Sequence, residues 1–357
     1  MKTSEVDLDC IEAYDFQLPR DLIAQHPLEH RIDARLMLIN RRSGEISHHY
    51  VRDLPDLTHD GDALVLNNTK VIPARVVGKR TATGGRWEGL FLQQDEFGNS
   101  EFLSKTRGKL VVGEMLTLLD REGRESDEMV VSTVLDNGHL VVRTVNAASI
   151  HELLDRFGRV PLPPYIREGQ MVDSDVDAYQ TVFARHPGSV AAPTAGLHFT
   201  PDLIRQLQRR NVNTVAVTLH VGLGTFRPVN TQHLSAHTMH YEQGELSDSS
   251  AEKLRQARTT GGRVIAVGTT STRVLESAAQ ATQRLYQAWR GTTNLFIKPP
   301  YDFSTIDGLL TNFHLPKSTL IVLVSAFAGR DLVMRAYAEA IQQRYRFYSY
   351  GDCMLII

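Results

Sequence analysis

The sequence predicts an α/β core domain, barrel-like or built on an open parallel sheet, with a small all-β barrel domain inserted into it. The chain has 357 residues, and single hydrophobic cores tend to divide beyond about 250–300 residues. Between about residues 71 and 146, short apolar strands follow one another with no helical segment between them. After this stretch, strands alternate with helices. We therefore predict an α/β domain over residues 1–70 and 147–357, and an inserted β-barrel over residues 71–146.

The inserted domain is predicted from closely spaced strands at residues 87–92, 109–112, 115–119, 129–135 and 139–145. The last two are joined by Asp136-Asn137-Gly138. Asn-Gly is the strongest signal for a two-residue hairpin, because both central positions of that turn need positive φ. Antiparallel strands of this number usually close into a small barrel or a sandwich.

The α/β domain is predicted from a different pattern. Thr200 reads as an N-cap and Pro201 as the first residue of a helix. Further elements are predicted as strands at 212–219 and 264–267, and as helices at about 251–258 and 273–287. This alternation implies a parallel sheet covered on both faces. Residues 63–66, before the insert, read as another buried strand of the same sheet.

Composition limits the possible partners and the compartment. The formal net charge is −2, so RNA contact would need a local basic patch rather than a global basic field. The first ten residues carry acids where a signal peptide needs an apolar stretch. The longest apolar run, 320–329, is shorter than the ~20 residues that span a bilayer and reads as a buried helix. Cys10 and Cys353 read as free thiols, and we expect a cytoplasmic protein without membrane contact.

Two polar, glycine-rich junctions follow predicted strands, at residues 218–227 and 266–273. Ligands of parallel sheets gather beyond the carboxyl ends of strands. In the second junction, free N–H groups, glycine turns and hydroxyls could hold a carboxylate, a ribose or a phosphate. The alternative is an ordinary turn capped by Ser or Thr. The sequence Gly222-Leu-Gly224 lacks the third glycine of a dinucleotide-binding motif.

Histidines are the candidate acids and bases near neutral pH. Six of the 14 histidines cluster in one segment, and one more candidate follows later: His186, His198, His220, His233, His237 and His240, and then His314. A packed or hydrogen-bonded role is the commoner one for a histidine, but His220 stands at a predicted strand end beside glycines. His237, His240 and Glu242 have loose metal-ligand character, yet HExxH is absent and we expect no metal. No nucleophile elbow, Walker loop or kinase motif occurs, so these patterns suggest an enzyme without defining its reaction.

Ordered motifs over nearly the whole chain carry a resemblance to a known family. The most specific are 188–199 (GSVAAPTAGLHF) and 311–319 (TNFHLPKST). The others are 18–27, 66–75, 158–166, 179–182, 239–240, 345–352 and the two glycine-rich junctions. Together they resemble the bacterial S-adenosylmethionine:tRNA ribosyltransferase-isomerase family of queuosine synthesis.

The resemblance implies that S-adenosylmethionine is a consumed co-substrate, with no separate cofactor. Its ribosyl group is transferred to 7-aminomethyl-7-deazaguanine at the tRNA wobble position and isomerised to epoxyqueuosine, while adenine and methionine leave. A base removes a proton from the 5′ carbon, which the sulfonium acidifies. Adenine loss, attack by the amine of the modified base and epoxide closure follow. The nucleophile belongs to the RNA, in agreement with the missing nucleophile motif.

Within this scheme, His220 is the expected base and His198 the alternate, with Asp352 and His314 as further catalytic candidates. The expected contacts to the ribose or carboxylate of the donor are Gly268, Thr269, Thr270 and Arg273. Phe199 would stack on adenine, or else belong to the core.

For RNA, the predicted contacts are Lys105, Arg107 and Lys109 on the β domain. The alternative is that they are solvated charges balanced by Glu101, Glu114 and the acids of 122–128.

Two other functions stay open: an S-adenosylmethionine-dependent RNA methyltransferase, which would release S-adenosylhomocysteine, and a non-catalytic RNA-binding protein whose barrel does the binding.

Overall fold

The computed structural model describes residues 6–135, 138–146, 149–222 and 231–357. It divides into two compact units. One comprises Met1–Lys70, Tyr165–Arg167 and Asp177–Ile357, and the other Val71–Pro164 and Glu168–Val176. The second unit therefore extends beyond residue 146, where the strand pattern ended. The reason is that helix 150–157 buries four apolar side chains and belongs to this unit.

The described residues form eight α-helices and seventeen strands. The helices are α1 Leu54–Leu57, α2 Ile150–Phe157, α3 Asp175–Ala178, α4 Pro201–Arg209, α5 Asp248–Thr259, α6 Thr269–Thr282, α7 Thr319–Ala328 and α8 Arg330–Gln342. The strands are β1 Arg35–Ile39, β2 Ile46–Tyr50, β3 Ala63–Asn67, β4 Thr69–Val71, β5 Arg75–Arg80, β6 Arg86–Gln94, β7 Ser100–Thr106, β8 Met115–Leu119, β9 Glu125–Val134, β10 His139–Thr144, β11 His186–Ser189, β12 Asn213–Leu219, β13 Glu242–Leu246, β14 Val264–Val267, β15 Trp289–Thr293, β16 Gly308–Asn312 and β17 Cys353–Ile356.

Among the described strands of the first unit, nine form one sheet in the order β15-β13-β12-β3-β14-β16-β17-β1-β2. The centre, β12-β3-β14-β16, is parallel. The flanks contain antiparallel pairs, at β12-β13, β13-β15, β16-β17 and β1-β2. The predicted fold class, an α/β domain with a small all-β barrel, is confirmed. The parallel pairing predicted for the sheet holds at its centre and not at its edges.

Both faces of this sheet are covered. All five residues of β3 are buried, as expected for a strand between two layers of helices. Its alternate side chains enter two cores. Ala63 and Val65 belong to the core that also contains residues of α5, α6, α7 and α8. Leu64 and Leu66 belong to the core that contains Leu203 of α4.

The helix starts follow from local hydrogen bonds. Thr200 caps α4 as predicted, since its hydroxyl accepts from the Leu203 N–H with Pro201 in the first turn. By contrast, α6 begins at Thr269 rather than near residue 273. The predicted loop there is helical: the Thr272 N–H donates to the Gly268 carbonyl, and the Ser271 and Thr272 hydroxyls also donate to the carbonyls of Val267 and Gly268.

The second unit contains a closed antiparallel barrel with the order β10-β7-β6-β5-β8-β9. Trp87 and Phe102 are fully buried and pack together, with ring centroids 6.1 Å apart. The predicted pairing of β9 with β10 is present, although residues 136 and 137 of their turn lie outside the described residues. The strand predicted at 109–112 is wrong, because this segment is a loop with exposed Val111 and Val112. The pattern also missed two strands of the barrel, β5 and β7.

In the part of the chain that the structure describes, each helix is too short or too polar to cross a membrane. The apolar run near residue 320 is the buried helix that was predicted. It forms α7, which has 10 residues, six of them buried.

Candidate active site

A cleft of about 740 Å³, including the part that opens to solvent, lies in the α/β unit. Its walls are Tyr165, Ala191, Ala192, Pro193, Thr194, Ala195, Val221, Gly268, Thr269, Thr270, Thr311, Asn312, Phe313, His314, Leu315, Ser318, Leu320, Tyr348 and Ser349. All of these residues except Leu320 belong to the sequence motifs singled out above. The fold thus brings six of those motifs together around one cavity.

The start of α6 forms one wall of the cleft. Gly268 has a φ of +89°, a conformation that favours glycine, and its N–H donates to the Leu310 carbonyl at 2.7 Å. The hydroxyl of Thr270 is buried and has no hydrogen-bond partner among the described residues. A helix N-terminus presents free N–H donors and a partial positive charge. This wall can therefore bind a carboxylate, a phosphate or a ribose hydroxyl.

His314 lies in the cleft wall. Its Nε2 is 2.9 Å from the Thr311 hydroxyl, and its backbone N–H donates to the Tyr337 hydroxyl at 2.9 Å. Burial lowers the pKa of His314 to about 3. The imidazole is therefore neutral at pH 7 and cannot act as a cationic acid.

His198 lies in a second, more open pocket, which shares Ser349 with the cleft. Its Nε2 is 3.2 Å from Oδ1 of Asn312, a residue of the cleft wall. The amide of Asn312 also donates to the Tyr348 carbonyl at 2.8 Å. Burial lowers the pKa of His198 to about 4. The structure thus connects His198 to the cleft through Asn312.

His220 is half-buried at the end of β12. Its Nδ1 is 2.9 Å from the Thr69 hydroxyl, and its backbone N–H donates to the Gln243 carbonyl. The ring lies against Gly188, where a Cβ atom would stand 2.9 Å from Nδ1. Burial, and then the nearby His186, lower the pKa of His220. The next residue, Val221, lines the cleft, while 223–227 of the predicted junction lie outside the described residues.

Arg273 does not line the cleft. It is 6% exposed and forms a buried ion pair with Glu242, and its Nε donates to the Leu295 carbonyl at 3.1 Å. The other carboxylate oxygen of Glu242 accepts from the Gly222 N–H at 3.0 Å. Glu242 therefore links the segment after His220 to the first turns of α6.

Metal ligation by His237, His240 and Glu242 was the alternative weighed for this region. Within the described ranges, no group of three or more His, Cys, Asp or Glu residues is arranged to hold a metal ion. The carboxylate of Glu242 is engaged by Arg273 and Gly222.

Asp352 and Phe199 also lie away from the cleft. The carboxylate of Asp352 is buried and accepts from the backbone N–H groups of Arg35 and Arg346, at 2.8 and 2.7 Å. Burial raises the pKa of Asp352. Phe199 is fully buried and packs edge-to-face on Phe183 in the core. Its surroundings are those of a core aromatic rather than of an adenine-stacking residue.

Among the polar residues of the cleft wall to which sequence reasoning gave no role are Asn312, Tyr165 and Ser349. The hydroxyls of Tyr165 and Ser349 are 2.8 Å apart, and burial raises the pKa of Tyr165 to about 12. All three lie within motifs quoted for the resemblance. Membership in those motifs was the signal that could have found them.

The three predicted RNA contacts lie in the barrel unit. Lys105 is on β7, and Arg107 and Lys109 are in the loop that follows. All three are exposed.

Comparison with known proteins identifies the class of protein: residues 11–356 match the family model described as queuosine biosynthesis protein. The chain is 47% identical over 347 residues to the S-adenosylmethionine:tRNA ribosyltransferase-isomerase of Desulfitobacterium hafniense, covering 97% of this chain and 99% of that one. Identity to the protein of the same name from Staphylococcus saprophyticus is 46%, with the same coverage. The crystal structure of S-adenosylmethionine tRNA ribosyltransferase from Thermotoga maritima matches with a TM-score of 0.55 and 34% identity, covering 97% of this chain and 100% of that one.

The chain belongs to the S-adenosylmethionine:tRNA ribosyltransferase-isomerase family. The family predicted from the motifs is confirmed, and with it the prediction of a transferase-isomerase of queuosine synthesis.

Proposed function

We propose that the cleft binds S-adenosylmethionine and that the enzyme transfers and isomerises its ribosyl group onto 7-aminomethyl-7-deazaguanine at the wobble position of tRNA. The products are epoxyqueuosine, adenine and methionine. One observation carries the assignment to this cleft: its lining residues, apart from Leu320, all come from family motifs far apart in the sequence. S-adenosylmethionine is consumed as a substrate, and the proposal includes no other cofactor.

The start of α6 holds the ribose or the carboxylate of the donor. Gly268, Thr269 and Thr270 present backbone donors and hydroxyls to the cleft. The buried Thr270 hydroxyl lacks a partner and gains one when a polar ligand group enters. Arg273 contributes differently from the sequence-based expectation. Because its guanidinium pairs with Glu242, it is a positioning residue for α6.

His220 is the base that removes the proton from the 5′ carbon. Burial lowers the pKa of its imidazole and so favours the neutral form, which is the form that accepts a proton. If the Thr69 hydroxyl accepts from Nδ1–H, the lone pair stands on Nε2. His314, in the cleft wall, and His198, behind Asn312, are the alternates.

Apolar and aromatic walls protect the reaction from water. Val221, Phe313, Leu320 and Tyr348 contribute to the lining. Exclusion of water strengthens electrostatic interactions with the sulfonium and prevents hydrolysis of the intermediates. Asp352 acts at a distance from this chemistry, since it fixes the backbone of Arg35 and Arg346 and not the substrate.

Mass spectrometry of tRNA after incubation with S-adenosylmethionine tests the proposal. We expect the mass of the modified base to change in step with release of adenine and methionine. The matched control is the same tRNA without the aminomethyl group, which should give neither signal. Release of S-adenosylhomocysteine would instead indicate a methyltransferase, and binding without any product would indicate an RNA-binding protein. Turnover should persist in the presence of a chelator. If the chelator abolishes turnover reversibly, His237 and His240 become candidate metal ligands.

A further inference from the structure

The barrel unit carries an exposed basic loop of defined shape. Lys105 is exposed and is the next-to-last residue of β7, and Arg107 and Lys109 follow in the loop to β8. None of the three forms a salt bridge with a described residue. We call residues 105–112 the basic loop.

Two largely buried residues hold this loop in place from beneath. The guanidinium of Arg80 donates to the carbonyls of Arg107 and Lys109, at 3.1 and 3.2 Å. It also forms an ion pair with Glu114, and the side chains of this pair are 16% and 8% exposed. Glu114 in turn accepts from the backbone N–H of Val111 at 3.2 Å. The loop is therefore fixed by its backbone while its cationic side chains stay in solvent.

The neighbouring acids are engaged elsewhere. Glu88 is directly across from Lys105 on β6, but Arg75 pairs with its carboxylate. Most of the acids that could have balanced the basic loop have other partners, which are His139 for Glu101, Arg80 for Glu114, Lys79 for Glu125, Arg124 for Asp120 and Glu122, and Arg156 for Asp127. Glu128, on β9, is the exception. The positive charge of the loop is thus not neutralised by these carboxylates.

The tip of the same loop is apolar. Val111 is 60% exposed and Val112 is 66% exposed. Together with the three cations, these two adjacent valines give the loop a surface that is both basic and apolar. A polyanion with apolar parts, such as an RNA backbone with its sugars and bases, complements this combination of charge and apolar area.

We propose that the basic loop is a binding surface for the RNA backbone, which positions the tRNA substrate. The inference rests on the proposed function for the identity of the RNA. Lys105, Arg107 and Lys109 contact phosphates. Arg80 and Glu114 fix the loop before binding, which lowers the entropy lost on association.

Salt-dependent binding of an unmodified tRNA transcript tests this surface, and it requires no turnover. Replacing Lys105, Arg107 and Lys109 by Ala should weaken binding and flatten the slope of log K against log salt by up to about 3, at roughly one per lost phosphate contact. The matched control replaces Lys79, Arg124 and Arg143, which are cations of the same barrel engaged by Glu125, Asp120 and Asn99. It removes the same positive charge and should leave the slope nearly unchanged.

A second variant tests the fixed shape. Arg80→Met with Glu114→Gln keeps the three cations and the net charge but removes the support of the loop. We expect about three- to tenfold weaker tRNA binding with an unaltered salt slope.

The proposal is overturned if the triple variant keeps the wild-type slope, if the control triple flattens it equally, or if the wild type binds phosphatidylserine vesicles and not tRNA. The wild-type turnover assay reports separately on the proposed function. If the triple variant alters the salt slope but the wild type shows no turnover, the RNA surface is supported and the proposed reaction is not. If the wild type turns over but the triple variant keeps the wild-type slope, the reaction is supported and the RNA surface is not.

Discussion

Arg273 and Glu242 form a buried ion pair between the second turn of α6 and the first residue of β13. Among the described residues, Glu242 is the one carboxylate within ion-pair distance of Arg273. The pair also reaches the Gly222 N–H, two residues after His220. It therefore connects the proposed donor-binding wall to the segment that carries the proposed base.

Replacing Glu242 by Gln should destabilise the α/β unit by about 2–4 kcal/mol, because the Arg273 charge would stay buried without its anion. Urea denaturation followed by fluorescence measures this change. The chain has two tryptophans, of which Trp289 is in the α/β unit and Trp87 is in the barrel. In a Trp87→Phe background, the signal therefore reports the α/β unit.

The control for this variant is Glu245→Gln on the same strand. Glu245 pairs with Arg290 at 3.8 Å, and the side chains are 45% and 87% exposed. Exposed pairs of this kind contribute little, so we expect a change within about 0.5 kcal/mol. Equal effects of the two substitutions would contradict the importance of the buried pair.

Thr270→Val should separate ligand binding from stability. The substitution removes a buried hydroxyl that has no partner in the described structure, so unfolding should cost the same or up to about 1 kcal/mol more. Affinity for S-adenosylmethionine, measured by calorimetry, should fall by about five- to tenfold because a ligand hydrogen bond is lost. Thr272→Val is the control. Its hydroxyl donates to the Gly268 carbonyl, so this variant should lose stability instead, and the same pattern in both would count against the assignment.

Replacing His220 by Gln should lower turnover by about 10²–10⁴, the usual contribution of a positioned base. Binding of tRNA and of S-adenosylmethionine should be preserved, since glutamine keeps a polar side chain of similar size at this half-buried position. Quantifying adenine release at saturating substrates measures the change. The exposed His240 provides the matched control, and His240→Gln should be nearly silent. Near-normal turnover of His220→Gln would move the role to His314, and then to His198.

Local signals predicted much of the fold. The Thr200-Pro201 pair defined the start of α4 because both the cap and the first-turn proline are local features. The apolar run at 63–66 identified β3, one of the four strands in the parallel centre of the sheet. The strand directions at the sheet edges could not be predicted from the sequence. The antiparallel β16-β17 pair joins segments about 40 residues apart, and nothing local to either segment determines that direction.

For the candidate site, too, the sequence predicted one part and could not predict the other. The motifs supplied Thr270 and His314, which do line one cleft. They could not separate them from Arg273, Asp352 and Phe199, whose side chains are engaged in a buried pair, in backbone hydrogen bonds and in the core. Whether a side chain faces a cavity or a neighbouring helix depends on packing between distant segments. That information is absent from residue type and spacing.

Acidification should destabilise the α/β unit through its buried histidines. Burial lowers the pKa of His198 to about 4 and that of His314 to about 3, whereas the unfolded chain titrates near 6.5. Below pH 6.5 the unfolded state therefore binds more protons than the folded state, and stability falls with pH until the folded pKa is reached. Each histidine should account for a loss of about 2 kcal/mol between pH 7.5 and pH 5.

Urea denaturation at pH 7.5 and pH 5, in the Trp87→Phe background, measures this loss. In His198→Gln, the difference in unfolding free energy between the two pH values should shrink by about 2 kcal/mol, because the variant has no imidazole to protonate at that position. His240→Gln, at an exposed position, should keep the wild-type difference. Because the unfolding free energy of each variant is compared between two pH values, a general loss of stability caused by the substitution cancels. An unchanged difference in His198→Gln would mean that this imidazole is protonated as readily in the folded chain as in the unfolded one, and His198 could then serve as a cationic acid near neutral pH.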